Sequence, residues 1–362
     1  MDRRVPSVGR RSFHARGTVK ASSVSSYRCP VDSSALRVED PVAASSALIE
    51  QGTLVSGGGR RYPVINGVPH IVYPERLAPI EEQTRTEYDR VADAIYDTAV
   101  DWQFAAFLED EHVVREGMVD ALDVHAGDRV LEVGCGTGRD SHRLARRLGD
   151  SGVLFLQDLS ANMVFACRQH MSAQATHETF RCSFEYSVCN VTHLPFADGF
   201  FDRVFHFGGL NQFADIPTAM RELTRVTRTS GRILVGDEGV APWLKGTEFE
   251  AIVTTNNPLF RAEIPLGVLP TCARDVTVKW IVASCFYIIA FTKGDGPPPL
   301  DLDLPHQGWR GGSMRTRYFG QLEGVTPEAK ALARQAAAAE GVSLHEWLSR
   351  LVKEAAERTL RR

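Results

Sequence analysis

The sequence predicts an α/β fold in which parallel strands alternate with crossover helices. From Asp128 onward, five short β-rich runs (RVLEV, GVLFLQD, FEYSVCN, RVFHFGG and RILVGDE) are separated by helical stretches. This alternation is typical of a parallel sheet. Two further apolar runs, DVTVKWIV and CFYIIAFTK, lie close together in the chain and predict a hairpin that closes the sheet edge. The run KGDGPPP then ends the domain near residue 296.

Composition narrows the range of possible functions. The chain has 362 residues with 41 basic and 45 acidic side chains, and this near-neutral balance gives no general attraction to nucleic acid. No apolar run reaches the roughly 18 residues of a membrane-spanning helix. The seven cysteines contain no C-x-x-C pair, which favours reduced thiols in a reducing compartment such as the cytoplasm.

The first residues are expected to lie outside the fold. Residues 1–26 are interpreted as a disordered or targeting extension, because residues 1–28 hold six arginines and one lysine against a single acid, Asp2. The stretch has no apolar core of the kind that secretory signals contain. If it is a transit peptide, an organelle stroma or matrix replaces the cytoplasm as the predicted location.

Residues 76–296 are predicted to form the main domain, and their first part is helical. Between Pro79 and Val124, Tyr88, Val91 and Ile95 recur at helical spacing. These helices are expected to form a lid, and an insertion is expected near residues 240–270. Within that insertion, Trp243, Phe249 and Phe260 are suited either to roofing an apolar substrate or to core packing.

The strongest chemical signal is the glycine-rich run from Glu132 to Gly138, EVGCGTG, which follows a β-rich run and precedes a helical pattern. Glycines allow a sharp turn and close approach of a ligand to the backbone. Asp158 ends the next predicted strand, 20 residues after Gly138, where a carboxylate can accept both ribose hydroxyls. A nicotinamide site also places an acid there and is the main rival. Alternatively, Asp158 and Ser160 cap a helix.

Four segments with this motif resemble the class I S-adenosylmethionine-dependent methyltransferases, in particular the ubiquinone/menaquinone-biosynthesis-like branch. They are VLEVGCGTGR, LQDLSANMV, CNVTHLPFADGFFDRV and ELTRVTRTSGRILVGDE. The resemblance extends from Tyr88 to Thr292. It implies a Rossmann-like sheet of seven strands and S-adenosyl-L-methionine as the cofactor, with no metal required.

The resemblance also implies which residues bind the cofactor: Glu132, Gly134, Gly136, Gly138, Asp158, Leu159, Met163, Asn190 and Val191. Glu132 would hold the methionine ammonium, the glycines would line the amino-acid tail, and Asp158 would accept from the ribose. Leu159 and Met163 would pack near the adenine. Family members often have Asp at position 190 to accept from the adenine amino group, whereas Asn190 offers only a neutral oxygen and hence a weaker hydrogen bond. Val191 would offer its backbone amide.

Candidate catalytic residues lie after the predicted fourth and fifth strands, where ligands bind in open α/β sheets. Asn211 is expected to face the sulfonium from the substrate side or to form a turn of its own. Asp237 or Glu238 is expected to be a general base or to cap the next segment. His206, within the fourth strand, is interpreted as a core histidine with satisfied hydrogen bonds.

Residues 27–75 predict a small β segment. It is similar to the zinc-ribbon-like domain that precedes the catalytic domain in some ribosomal RNA guanine methyltransferases, through Tyr62-Pro63, Gly67 and Pro69. The metal-binding half is degenerate, because Asp32 stands where a second thiolate is expected after Cys29. A four-ligand zinc site therefore cannot form.

The C-terminal part predicts a linker and strand over residues 297–325 and a helical hairpin over 326–362. Thr326 and Ser343 are expected to cap the two helices. The tail is similar to a ribbon-helix-helix module, with Arg315 and Arg317 on the ribbon. Because the ribbon has few basic residues, dimerisation or docking through the helices is preferred over DNA binding.

Taken together, the sequence predicts a methyltransferase that acts on a moderately apolar small molecule at carbon or oxygen. One alternative is RNA base methylation, which the degenerate ribbon suggests. The other is a cofactor-binding DNA regulator that uses the C-terminal tail.

Overall fold

The computed structural model describes residues 19–45, 48–92, 95–308, 311–319 and 325–361. The chain divides into two compact units, one ending at Pro297 and the other beginning at Pro298. The predicted extension falls largely outside the described residues, but its last part does not. Ala21–Ser26 form a 3-10 helix, and the side chain of Val24 is buried.

The first unit is built around one sheet. The strands of the described residues are β1 (Val19–Lys20), β2 (Arg37–Ser45), β3 (Leu48–Val55), β4 (Arg61–Ile65), β5 (Val68–Ile71), β6 (Arg129–Val133), β7 (Val153–Asp158), β8 (Ser183–Cys189), β9 (Phe201–Phe207), β10 (Thr227–Glu238), β11 (Ala273–Ile281) and β12 (Phe286–Lys293).

Seven of these strands confirm the predicted Rossmann-like sheet. Their order is β8-β7-β6-β9-β10-β12-β11; β8 to β10 are parallel, and β12 is antiparallel to both β10 and β11. In this register Val133, at the end of β6, lies between Gln157 of β7 and His206 of β9. The loops that leave the three strands therefore meet at one edge of the sheet.

The helices are α1 (Pro79–Val91), α2 (Ile95–Ala106), α3 (Glu111–Leu122), α4 (Ser141–Leu148), α5 (Ala161–Gln174), α6 (Ile216–Val226), α7 (Glu248–Asn256), α8 (Met314–Phe319), α9 (Pro327–Ala339) and α10 (Leu344–Leu360). Short 3-10 helices lie at Val191–His193, Leu210–Gln212, Pro242–Leu244, Pro258–Arg261 and Leu266–Val268. Helices α3, α4 and α5 contribute to one core cluster and α6 to another, as expected for a sheet covered on both faces. No helix in the described ranges combines the length and apolar composition needed to cross a membrane.

The N-terminal β segment is present, but it is not a separate domain. Strand β5 pairs in parallel with β8, His70 opposite Val188 and Ile71 opposite Cys189, so the segment extends the main sheet. Tyr27 is fully buried, and its ring centroid lies 5.5 Å from that of Phe196 in the main domain. The boundary predicted between residues 75 and 76 is therefore not a structural one.

Hydrogen bonds join the two turns of the degenerate ribbon. The Ser34 hydroxyl donates to Asp32 Oδ1 at 2.6 Å and accepts from the Gly57 amide at 2.9 Å. The bonds from Ser34 hold the pKa of the Asp32 carboxyl low, at about 2. The described residues contain no group of three or more His, Cys, Asp or Glu side chains suited to a metal. Hydrogen bonds through Ser34 therefore connect the two turns that would carry the metal ligands in a zinc ribbon.

The second unit contains the predicted helical hairpin, α9 and α10. Thr326 accepts from the Ala329 amide and Ser343 from the Glu346 amide, as expected for helix caps. At residues 314–319, where the ribbon with Arg315 and Arg317 was predicted, the structure has the helix α8 and not a strand. Ser313 and Thr316 exchange side-chain to backbone hydrogen bonds that start this helix.

In the part of residues 297–325 that the structure describes, no strand corresponds to the ribbon of a ribbon-helix-helix module. Arg315 lies on α8 and donates two hydrogen bonds to Asp303, at 2.7 and 2.8 Å. Arg317 is on the same short helix and donates to the Gly311 carbonyl. Two arginines on a six-residue helix do not form the strand that a DNA-binding ribbon requires.

Candidate active site

The loop after β6 is shaped by glycines in the left-handed region of backbone conformation. Gly134 has φ +66°, and a Cβ there would lie 3.3 Å from His206 Nδ1. Gly138 has φ +90°, and a Cβ there would lie 3.0 Å from Cys167 Sγ on α5. The first glycine thus leaves space between two strand ends, while the third allows the loop to pack on a helix.

Asp158, at the end of β7, binds this loop directly. Its Oδ2 accepts from the Gly136 amide at 3.1 Å and its Oδ1 from the Ser160 amide at 2.9 Å. Burial raises the pKa of this carboxyl to about 6, although the backbone hydrogen bonds act in the opposite direction. Ser160 itself caps α5, accepting from the Met163 amide. The helix cap is thus the Ser160 side chain, and the neighbouring Asp158 carboxylate lies on the wall of a cavity.

Two adjoining cavities open around the glycine loop, with about 710 and 980 Å³ of empty space when their openings to solvent are included. The residues that line both are Tyr88, Tyr96, Gly134, Gly136, Phe207, Gly208, Gly209 and Gln212. The first cavity lies at the end of β7, and its further lining includes Glu81, Asp158, Leu159, Asn190, Val191 and His206. The second has a mixed lining. Its apolar side chains include Val100, Phe104, Leu259, Val282 and Phe286, and its charged groups are Arg115, Glu132, Arg139, Asp140 and Glu238.

Seven of the nine predicted cofactor residues line these cavities. They are Glu132, Gly134, Gly136, Asp158, Leu159, Asn190 and Val191. The remaining two, Gly138 and Met163, do not. Gly138 faces Cys167, and the Met163 side chain, 1% exposed, is buried within the protein. Gly138 lies between Thr137 and Arg139, which line the second cavity, and Met163 lies four residues after Leu159, which lines the first. Both therefore support the cavity walls from behind.

The carboxylates beside the glycine loop are strongly buried. Glu132 Oε2 accepts from the Ser141 hydroxyl at 2.7 Å, and burial, with the charge of Asp140, raises the pKa of Glu132 well above its usual range. Asp140 accepts from Arg115 through Oδ2, while its buried Oδ1 has no hydrogen-bond partner among the described residues. Sequence analysis did not identify Asp140, two positions after Gly138. An acid just beyond the glycine motif was the available signal.

Asn190 is bound at both ends of its amide. Its Oδ1 accepts from the Thr192 amide at 3.1 Å, and its Nδ2 donates to Glu81 Oε1 at 2.9 Å. Glu81, on α1, also lines the first cavity and was not predicted to be a site residue. The two residues are 109 positions apart, and no local pattern links them.

The three predicted catalytic residues have different environments. Asp237 is fully buried, and its carboxylate accepts from the amides of Gly209, Asn211 and Glu238 at 3.2, 2.5 and 2.9 Å. The Asn211 side chain donates to the Glu238 carbonyl at 2.9 Å. Neither Asp237 nor Asn211 lines a cavity; both hold the loop after β9 against β10. Of the three, only Glu238 lines the second cavity. Burial, with the charge of Asp237, raises the pKa of Glu238 well above its usual range.

Only one of the two ring nitrogens of His206 has a hydrogen-bond partner among the described residues. Its Nδ1 donates to the Val133 carbonyl at 2.8 Å, whereas its buried Nε2 has no partner among the described residues. Burial lowers the pKa of this imidazole, so the neutral form with its proton on Nδ1 is favoured. The ring lines the first cavity, and the interpretation as a satisfied core histidine is therefore wrong.

The aromatic side chains that cover the site come from a different region than expected. Trp243 is 63% exposed, Phe249 is also exposed, and Phe260 lies in a buried cluster. The cover is formed instead by Tyr88 of α1 and Tyr96 of α2, whose ring centroids are 6.0 Å apart. Burial raises the pKa of both hydroxyls, that of Tyr96 to about 12. The aromatic residues over the site thus come from the lid helices, and not from the insertion near residues 240–270.

Because their environments differ, we expect substitution of Asp237 to destabilise the fold much more than substitution of Glu238. We expect Asp237→Ala to lower the free energy of unfolding by about 2–5 kcal/mol, because it leaves buried amides without an acceptor. Glu238→Gln, the matched control, is expected to change it by less than about 1 kcal/mol, because burial already favours the neutral carboxyl. Urea unfolding of the two variants tests this, and equal losses would contradict it.

Comparison with known proteins is consistent with this geometry. Residues 124–280 match a family model described as a methyltransferase domain. The chain is 31% identical over 155 residues to a 2-phytyl-1,4-naphtoquinone methyltransferase of Trichormus variabilis, which covers 43% of this chain and 64% of the relative. It is 36% identical over 129 residues to a ubiquinone/menaquinone biosynthesis C-methyltransferase of Xanthomonas oryzae, covering 35% and 49%.

The chain thus spans less than two thirds of the length of these relatives. Among solved structures, a geranyl diphosphate C-methyltransferase of Streptomyces coelicolor is 15% identical, with 61% of this chain and 100% of that chain covered and a TM-score of 0.44. The segment that matches the methyltransferase model contains the glycine loop, Asp158, Asn190 and Glu238.

Proposed function

We propose that this chain is an S-adenosyl-L-methionine-dependent methyltransferase whose acceptor is a moderately apolar small molecule, methylated at carbon or oxygen. The observation that carries the proposal is the junction of two cavities at the glycine loop, one ending at Asp158 and the other lined partly by apolar and partly by charged side chains. A methyl donor and its acceptor need adjoining sites of this kind, because alignment of the two supplies much of the rate.

The residues present fit the cofactor. Asp158 offers a carboxylate to ribose hydroxyls, and the space beside Gly134 is one that a Cβ would fill. Near the loop, Glu132 and the unpartnered Oδ1 of Asp140 are acceptors suited to an ammonium group. When bound, the cofactor supplies a methyl group on a positively charged sulfur.

The apolar part of the second cavity suits an acceptor that carries an apolar group. It includes Phe104, Leu259 and Phe286, which come from the lid, the insertion and the final hairpin. The relatives named above are described as methyltransferases of a phytyl naphthoquinone and of ubiquinone/menaquinone biosynthesis. These names support an acceptor with an aromatic or quinone-like ring.

Among the three predicted catalytic residues, we assign the acid-base role to Glu238. Burial keeps its carboxyl protonated, and in this form it donates a hydrogen bond to an oxygen of the acceptor. The positive charge of a bound cofactor would favour release of this proton to solvent, and the resulting carboxylate can then accept the acceptor's proton. Asn211 and Asp237 act as positioning residues, because they fix the loop that ends at this wall.

Calorimetry with S-adenosylhomocysteine tests the cofactor assignment. We expect the wild-type protein to bind it and Asp158→Ala to bind at least about tenfold more weakly, because hydrogen bonds to a carboxylate are lost. Asp150→Ala, in the loop that precedes β7, is the control and should bind normally. An unchanged affinity for Asp158→Ala would show that the assignment is wrong.

The pKa of Asp158 predicts a pH dependence for this binding. Because the ionised carboxylate is the better acceptor and its pKa is about 6, affinity should be constant above pH 7 and fall below pH 6. Between pH 7.5 and pH 5 the loss should be about tenfold. Asp158→Asn should show weaker binding with a flatter pH profile. A wild-type profile that is flat down to pH 5 would contradict the prediction.

Methyl transfer from labelled cofactor tests the acceptor class. We expect label to enter a reduced naphthoquinone or a phenol, and Glu238→Gln to lower kcat by about 100-fold, in the range of general acid-base contributions. The same variant should bind S-adenosylhomocysteine like the wild type. Label that enters extracted RNA, but neither small molecule, would instead support RNA base methylation.

A further inference from the structure

One face of α1 forms a wall of the first cavity. Glu81, Thr84 and Tyr88 line the cavity and follow one another at spacings of three and four residues, as neighbours on one helix face do. The next residue, Glu82, points away and pairs with Arg85 in solvent. Of these two adjacent acids, one therefore has its carboxylate on the cavity and the other has its carboxylate in solvent.

Glu81 is buried, at 6% exposure, and both its recorded hydrogen bonds come from neutral donors. Its Oε1 accepts from Asn190 Nδ2 at 2.9 Å and its Oε2 from the Ala78 amide at 3.0 Å. Each carboxylate oxygen has two lone pairs, so each can accept one more hydrogen bond. The bond to Ala78 is a helix-capping interaction, which an exposed side chain can also make. It therefore does not explain why this carboxylate lies on a cavity wall.

Asn190 is the weaker acceptor of the two. Its Oδ1 already accepts from the Thr192 amide, and its Nδ2 points toward Glu81. An amino group entering this end of the cavity needs an acceptor, and a hydrogen bond to a carboxylate is stronger than one to an amide oxygen. Glu81 therefore offers a charged acceptor beside position 190, where this chain has Asn and members of the resembling family often have Asp.

On the basis of the proposed function, we propose that Glu81 of α1 accepts the hydrogen bond from the adenine amino group of the cofactor, with Asn190 orienting its carboxylate. Nucleobase recognition then depends on a helix outside the segment that matches the methyltransferase model, which begins at residue 124. Helix α1 is also attached at its other end, where Asp89 accepts from the Ser160 hydroxyl at 2.6 Å. The position of Glu81 is thus fixed by its hydrogen bond from Asn190 and by the attachment of the helix at Asp89.

The test compares two ligands by calorimetry, S-adenosylhomocysteine and its analogue with hydrogen in place of the adenine amino group. The wild type should prefer the amino compound by about tenfold or more, since a charged acceptor contributes more than a neutral one. Glu81→Gln keeps an acceptor for the Ala78 amide but loses the charge. We expect its preference to fall to about threefold or less, while Glu82→Gln should behave like the wild type.

A charge exchange separates this role from a purely structural one. The double variant Glu81→Gln with Asn190→Asp moves the carboxylate to the other side of the same hydrogen bond, and it should regain most of the preference for the amino compound. Equal loss of both ligands in Glu81→Gln, or a double variant with no preference, would overturn the proposal. If the wild type binds neither ligand, the proposed function itself is wrong. If it binds both equally, only the inference fails.

Discussion

The candidate site depends on carboxylates that follow parallel strands and bind the backbone amides of neighbouring loops. Asp158 holds the glycine loop through Gly136 and the start of α5 through Ser160. Asp237 does the same for the loop after β9. Loops at the end of a sheet carry amides that no strand can satisfy, and leaving such groups buried without a partner is costly. The same two acids therefore set the positions of the backbone on both sides of the cavities.

The N-terminal segment contributes to this arrangement through the sheet. Because β5 lies parallel to β8 with Ile71 opposite Cys189, the chain leaves both strands at the same edge. Asn190 follows one strand, and α1 begins shortly after the other. Glu81 meets Asn190 for this reason. A segment that resembles a degenerate metal-binding ribbon in sequence has the structural role of placing α1 over the first cavity.

The elements that were predicted well are those encoded by local patterns. The β-rich runs, the glycine loop with Asp158 and the helix caps at Thr326 and Ser343 each depend on residues close together in the chain. The errors have physical causes of two kinds. Residues 314–319 form a helix because Ser313 and Thr316 cap it, a signal that the expectation of a ribbon obscured. The roles of Glu81, Asp237 and His206 depend on which distant group each side chain meets, and composition or spacing does not encode this.

A common electrostatic property links the buried acids of the site. Burial raises the pKa of Glu132, Asp158 and Glu238, and the nearby acids Asp140, Asp89 and Asp237 raise them further. Arg115, which lowers the pKa of Glu132, and Arg139 also line the second cavity, but acids already bind both guanidinium groups: Asp140 and Glu111 bind Arg115, and Asp101 binds Arg139. Glu132 and Glu238 line the second cavity and Asp158 the first. Ionising several carboxyls around these adjoining cavities costs free energy, and a ligand that carries positive charge reduces that cost. These carboxyls therefore favour a cation over a neutral molecule of the same shape, as the proposed binding of a sulfonium requires.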